Sequence, residues 1–344
     1  MEEKQFRGKV RWFTFLFSVL VVWVHAFNAE LFLGSGPSAA GLKRVQTWIG
    51  NGLGQFAVPG FFMISGYLFY RGFTWDKLGR KWRSRFRSLV VPYFLWNGLY
   101  YLGYVTASRV SGLADIVGKG RIPFTWETAL DAVVHYRYNA VFWYLYQLIW
   151  LIALTPLIYA FLKRKKTAAL WLAAAALCVW FQVDFPFVNE DSVLYYSAAG
   201  AAALHVSGAA ERGGDARSFL TGGGMVLVGV VCGLGFNRWG EVGLLVFARL
   251  LIPMGVWQMA DKRVLPAVRP WMEDTFFLYA THFAFVRLVN KTGAVLFPGS
   301  GLAAAVLYFG MPAFCLIFSR VLGAVLKKWI PPLWSALNGG RAAG

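Results

Sequence analysis

Apolar stretches long enough to cross a membrane recur along the whole 344-residue sequence, and no water-soluble architecture can bury them all. A hydrocarbon core about 30 Å thick needs roughly 20 apolar residues per helix. Segments of about that length are read near residues 12–33, 52–73, 88–107, 140–162, 167–183, 192–208, 218–236, 242–260, 276–293 and 301–326. The alternating strands of about ten residues that mark an outer-membrane barrel are absent. The expected fold is therefore all-α: a polytopic membrane protein of about ten transmembrane helices, forming a single domain over residues 1–344. Composition agrees, with 58% hydrophobic, 18% aromatic and only 15% charged residues, against about 25% charged in an ordinary globular domain. A typical soluble enzyme, a disordered tail and a fibrous repeat are excluded. The first apolar run exceeds the roughly 7–15 residues of a signal-peptide core and lacks a clear A-x-A site, so it reads as a retained helix.

Loop charge gives the orientation. With the N-terminus inside, eight of the 34 basic residues fall outside: Lys43, Arg44, Arg109, Lys119, Arg121, Arg137, Arg238 and Lys291. Four more (Arg71, Arg249, Arg287, Arg320) lie within spans, and the other 22 lie inside. That excess predicts both termini in the cytoplasm. The net charge of +18 thus reads as topology and attraction to an anionic leaflet, not as a nucleic-acid footprint. Cys178, Cys232 and Cys315 sit singly in apolar runs without CxxC spacing, so neither a disulfide framework nor a zinc site is expected. Residues 108–139 form the longest polar stretch, where Trp126 to Tyr136 reads as an interfacial helix. Gly222-Gly223-Gly224 reads as a close helix contact, since no strand precedes it as a phosphate loop requires.

Ionisable groups at membrane depth are costly and mark functional sites by default. His25 lies about 20 Å beyond the basic edge at Arg11, at about 1.5 Å per residue. An imidazole there can take a proton from a hydroxyl, as acyl transfer to an alcohol requires; a structural bond to a neighbouring helix is the other reading. Ser65-Gly66 suits helix packing better than nucleophilic catalysis, because no base is adjacent and a G-x-S-x-G elbow needs a strand-to-helix turn. Arg83, Arg85 and Arg87, leading into a span with Pro92, can pair with phosphates of headgroups or of a nucleotide-bearing donor. Trp143 and Gln147 share a helical face, and Arg249 lies mid-span, where it needs a partner or a wet cavity. Tyr279, His282 and Arg287 share the ninth span. His205 reads as a structural histidine, His135 carries little signal, and no metal-ligand spacing occurs.

In chain order, VLVVWVHA, FFMISGYLF, the basic segment before LVVPYFLW, FWYLYQL and DTFFLYATHFAFV resemble the integral-membrane acyltransferase family 3. These are the bacterial polytopic O-acyltransferases of surface polysaccharides and lipids. The resemblance implies that His25 is the catalytic base, and that Arg83, Arg85 and Arg87 belong to the donor-binding segment. It also implies that Tyr279 and His282 form the late Y-x-x-H pattern. Thr14 stands where the family usually has Arg or Lys, so that charge would have to come from Arg11 or another arginine. The chain reads as a stand-alone member, since no hydrolase-like SGNH domain follows the last span.

The expected activity is transfer of an acyl group, most often acetyl, from acetyl-CoA to a hydroxyl of a cell-surface or lipid-linked glycan at the bacterial inner membrane. No bound cofactor is expected; acyl-CoA is the donor substrate. The expected partners are the bilayer, the acyl donor and a glycan or glycolipid acceptor. Ser65, Trp143, Gln147, Arg249, Tyr279 and His282 are the candidates for substrate contact or oxyanion stabilisation. A transporter or flippase for a glycan or lipid intermediate is the competing class, although a matched pair of broken helices is not obvious.

Overall fold

A computed structural model describes residues 3–212, 214–261 and 265–341. Lys262 and Arg263, counted above among the inside charges, lie outside the described residues. Every one of the ten expected segments is helical, and among the described residues there is no strand. Five helical stretches are long and apolar enough to cross a membrane: Glu3–Leu33, Pro37–Tyr70, Ala216–Trp239, Val242–Met259 and Gly301–Trp329. A sixth follows if the bent pair Ala140–Ala153 and Thr155–Leu162 counts as one span. The chain is thus an all-α polytopic membrane protein. Its described residues divide into two compact units.

The first unit holds Met1–Phe17, Gln55–Trp82 and Gln147–Met272. Helices in lipid gain little from hydrophobic burial against one another, so small residues that allow close approach carry their packing. Helices Ala216–Trp239 and Val242–Met259 meet in this way. A Cβ on Gly222 would lie 2.6 Å from the Gly255 carbonyl oxygen, and one on Gly255 would lie 2.5 Å from that of Gly222. The expected glycine contact is therefore present at Gly222, whereas Gly223 and Gly224 face open space.

Residues 140–162 do not form one straight helix, as the sequence pattern suggests, but bend by 64°. The cause is Pro156, which has no N–H for the Ile152 carbonyl four residues earlier. That oxygen accepts instead from Thr155 Oγ1 at 2.6 Å and from Trp82 Nε1 at 3.0 Å, which is how a broken helix stays satisfied in lipid. At another edge of the unit Arg71 grips Glu211 with two bonds of 2.6 and 2.9 Å, and this holds the Glu211 carboxyl below its usual range.

The second unit holds Ser18–Gly54, Arg83–Tyr146 and Glu273–Gly344. Its core gathers Val22 from helix Glu3–His25, Ala26 just beyond that helix, Leu278 and Val286 from helix Thr275–Leu296, and Tyr308, Met311 and Cys315 from helix Gly301–Trp329. Trp23 Nε1 donates to the Tyr308 carbonyl at 3.2 Å across this core. The interfacial segment forms helix Trp126–Val134, whose first turn is capped by Thr125 Oγ1 accepting from the Thr128 N–H.

Gly222→Leu is expected to destabilise the first unit by about 1–3 kcal/mol, the range for overpacking a close contact. Gly223→Leu serves as its neutral control. Thermal unfolding of the two variants in detergent measures the difference.

Candidate active site

His25 is the last residue of helix Glu3–His25, and the chain leaves helical geometry at residues 26–28 before helix Ala29–Leu33 begins. The span expected over 12–33 is therefore interrupted beside the histidine. Side-chain amides hold the break. Asn28 Nδ2 donates to Asn290 Oδ1 at 3.1 Å and to the Ala304 carbonyl at 3.0 Å. Asn28 Oδ1 accepts from Gln46 Nε2 at 2.7 Å. Gln46 Oε1 accepts the backbone N–H groups of Asn28 and Ala29, and Asn290 Nδ2 donates to the Ala26 carbonyl at 3.1 Å. All three amides are buried. Each freed backbone group would otherwise cost several kcal/mol in an apolar medium.

From this end His25 faces helix Thr275–Leu296. Its ring centroid lies 5.4 Å from that of His282 and 5.4 Å from that of Phe283, the latter edge-on at 81°. His282 is buried, and its Nδ1 donates to the Tyr279 carbonyl at 2.7 Å. A carbonyl oxygen can only accept, so the proton of the neutral ring is on Nδ1. The Nε2 lone pair is buried without a partner. Tyr279 packs 6.1 Å from His282, stacks on Phe142 at 5.3 Å and donates its hydroxyl to the Val141 carbonyl at 2.7 Å. Three residues singled out in the sequence, His25, Tyr279 and His282, therefore converge. Two imidazoles in apolar surroundings, one with its tautomer fixed, can accept, hold and return a proton.

A cationic aromatic region begins one turn further along the same helix. The Arg287 guanidinium lies 5.7 Å from the centroid of Phe283, the ring that touches His25. Lys119 Nζ stands 5.4 and 5.3 Å from the rings of Tyr104 and Tyr138. Burial, then the charges of Arg287 and Arg137, push the Lys119 ammonium below its ordinary value. Thr14 supplies no charge in place of the family's usual cation; its hydroxyl donates back to the Val10 carbonyl at 2.7 Å.

The remaining candidates are placed as follows. Trp143 opens helix Trp143–Ala153, next to Tyr144, whose ring is 6.1 Å from Tyr279. Arg83 and Arg85 end helix Leu78–Arg85 and Arg87 follows in the next turn; Arg85 is half-buried and the other two are exposed. In the first unit, Gln147 is buried and its Oε1 accepts the Asn189 N–H at 3.1 Å, ahead of helix Glu190–His205. Arg249 Nη2 donates to Gln55 Oε1 at 2.5 Å, with the Asp191 charge close by. This supplies the partner that its depth demands. Ser65 precedes Gly66, which is buried and where any side chain would strike the Tyr196 carbonyl; this matches the packing reading. His205 bonds the Leu162 carbonyl at 2.7 Å and so fills its expected structural role.

Sequence reasoning passed over Asn28, Gln46 and Asn290. The available signal was an uncharged amide within or beside an apolar run, which is weak because such groups often bond their own helix. Asn290→Leu is expected to cost about 1–3 kcal/mol by removing the Asn290 partners of the Ala26 carbonyl and of one Asn28 amide N–H. Thermal unfolding reads that loss, and a larger loss of turnover than of stability would show that the break positions His25.

The acyltransferase domain family matches residues 10–324. The succinoglycan biosynthesis protein ExoH of Rhizobium meliloti (strain 1021) is 23% identical over 347 residues, covering 93% of this chain and 89% of the relative. No solved structure matches. A family pattern running through almost the whole of a chain built from membrane-length helices leads to one conclusion: the protein is a multi-pass membrane acyltransferase and belongs to the acyltransferase 3 family.

Proposed function

We propose that the protein transfers an acyl group, acetyl in the first instance, from acetyl-CoA to a hydroxyl of a surface or lipid-linked glycan, with His25 as general base. The reading takes the chain as one functional domain of ten spans with both termini in the cytoplasm, set in the bacterial inner membrane. Donor would then arrive from the cytoplasmic, basic side. The observation that carries the proposal is the imidazole pair: His25 stands 5.4 Å from His282, whose Nδ1–H is committed to the Tyr279 carbonyl. A polysaccharide acceptor is supported by the relative's role in succinoglycan biosynthesis. It is also supported by the aromatic and cationic residues beyond Phe283, since ring faces and cations suit a hydroxyl-rich, anionic ligand.

The step balances without a further co-reactant. A nitrogen of His25 takes the acceptor hydroxyl proton as that oxygen bonds the thioester carbonyl carbon. The tetrahedral oxyanion collapses, the carbon–sulfur bond breaks, and the departing thiolate takes the proton back from the imidazolium to leave as CoA. His282 is a positioning residue, offering its Nε2 lone pair to the charged ring. Arg287, one aromatic ring away from His25, is the cation on the acceptor side.

His25→Ala is expected to lower acyl transfer by about 10²–10⁴-fold, the usual contribution of a general base. His282→Gln should lower it less, and both variants should keep normal expression. The assay is CoA release from acetyl-CoA by membranes bearing acceptor glycan, paired with mass spectrometry of that glycan. Full transfer by His25→Ala would remove the proposal, and a wild type that moves glycan without consuming acetyl-CoA would favour the transporter class.

A further inference from the structure

The last described residues fold back onto the basic segment of the second unit. Helix Pro331–Leu337 gives way to Asn338, then to Gly339 and Gly340, with φ of 68° and 64°. A Cβ on Gly339 would lie 2.6 Å from the Ser88 carbonyl oxygen, and its positive φ disfavours any side chain as well. This tight return brings the Arg341 guanidinium 4.0 Å from the Phe276 ring centroid, with Nη1 donating to the Asn338 carbonyl at 2.8 Å. Arg85 is close enough for its charge to act on Arg341. Burial first and that repulsion second push Arg341 down to about 10. The other group acting on it is the Tyr144 hydroxyl, so neither neighbour is a carboxylate.

The polar groups around these arginines are also unanswered. Asn338 is 0% exposed, and both its Oδ1 and its Nδ2 are buried without a partner. The Ser88 hydroxyl is buried without one too. Each such group is costly when left unpaired, and the charge of Arg85 adds repulsion at Arg341. One tetrahedral anion with several acceptor oxygens offers partners to the donors among these groups, the Asn338 Nδ2 amide, the Ser88 hydroxyl and the guanidinium groups, and the planar guanidinium fork is suited to it.

We propose that Arg85, Ser88, Asn338 and Arg341 form a phosphate-binding site, completed by the returning C-terminal segment, and that the phosphate-bearing part of the acyl donor occupies it. The donor assignment rests on the acetyl-CoA reading above; the phosphate chemistry does not, because a lipid headgroup carries the same group. Phe276, under Arg341, precedes His282 by six residues on one helix, about 9 Å along its axis. Arg85 belongs to the basic segment singled out in the sequence; Ser88, Asn338 and Arg341 do not.

The test uses the whole protein in phosphatidylcholine nanodiscs with coenzyme A as the probe and calorimetric titration as the readout. R341Q is expected to weaken coenzyme A by about tenfold or more and to flatten the salt dependence, while R341K retains part of the affinity. N338D sets a carboxylate where the phosphate would lie. It should abolish coenzyme A binding while raising the unfolding temperature, so the loss cannot be blamed on misfolding. Undiminished coenzyme A binding by R341Q and N338D, with no change in phosphatidylglycerol retained from mixed nanodiscs, overturns the proposal. Retention of phosphatidylglycerol by the wild type and not by R341Q, at equal coenzyme A affinity, upholds the phosphate site and gives it to a headgroup. Acyl-transfer kinetics separate the two readings. An active wild type whose R341Q variant has the same KM for acetyl-CoA sinks the site as a donor site alone. An inactive wild type with Arg341-dependent coenzyme A binding sinks the acetyl-transfer reading alone.

Discussion

An unbonded peptide group is intolerable in hydrocarbon, and the second unit is organised around the one place where the first helix accepts that penalty. Residues 26–28 abandon helical geometry directly after His25. Only because Asn28, Gln46 and Asn290 answer one another and the freed backbone can the chain stop there. A continuous helix would keep the histidine's backbone in an unbroken ladder, with its ring free to sweep past its neighbours. The closed amide network ties the end of that helix to helices Thr275–Leu296 and Gly301–Trp329, and so to the helix that carries His282. The same rule governs the bend at Pro156 in the first unit, where Thr155 and Trp82 take over the abandoned Ile152 carbonyl.

Much of the fold was legible because lipid simplifies the code. Apolar runs of spanning length, read with a count of basic residues in loops, locate helices without any knowledge of tertiary packing. Every segment so located is helical. Gly222 was legible too, since small residues in an apolar run have few purposes other than close approach. The breaks were less so. Pro156 is visible, but a proline within a transmembrane helix is compatible with a straight or a bent rod. Nothing local in the sequence near Asn28 announces that its partners lie eighteen and 262 residues away.

The site divides along the same line. His25 and His282 stood out because ionisable groups at depth are expensive, and the structure places their rings together. Arg249 stood out for the same reason, and its Gln55 partner explains how its depth is tolerated. Asn338 and Arg341 could not stand out, because beyond the last apolar run a lone amide and arginine look like any polar tail. Their meaning comes from the return at Gly339, which only the folded chain reveals.

Helix Thr275–Leu296 carries Phe276, Tyr279, His282, Phe283 and Arg287 on consecutive turns, so the proposed donor side, proton relay and acceptor side would be spaced by one rigid ruler. A single inserted residue between Phe276 and His282 would rotate everything downstream by about 100° and uncouple the two ends. Side chains past Phe283, by contrast, can be exchanged without shifting the gauge. Under the proposed function, such a layout would make the choice of acceptor interchangeable while the reach from Phe276 to the imidazoles stays fixed.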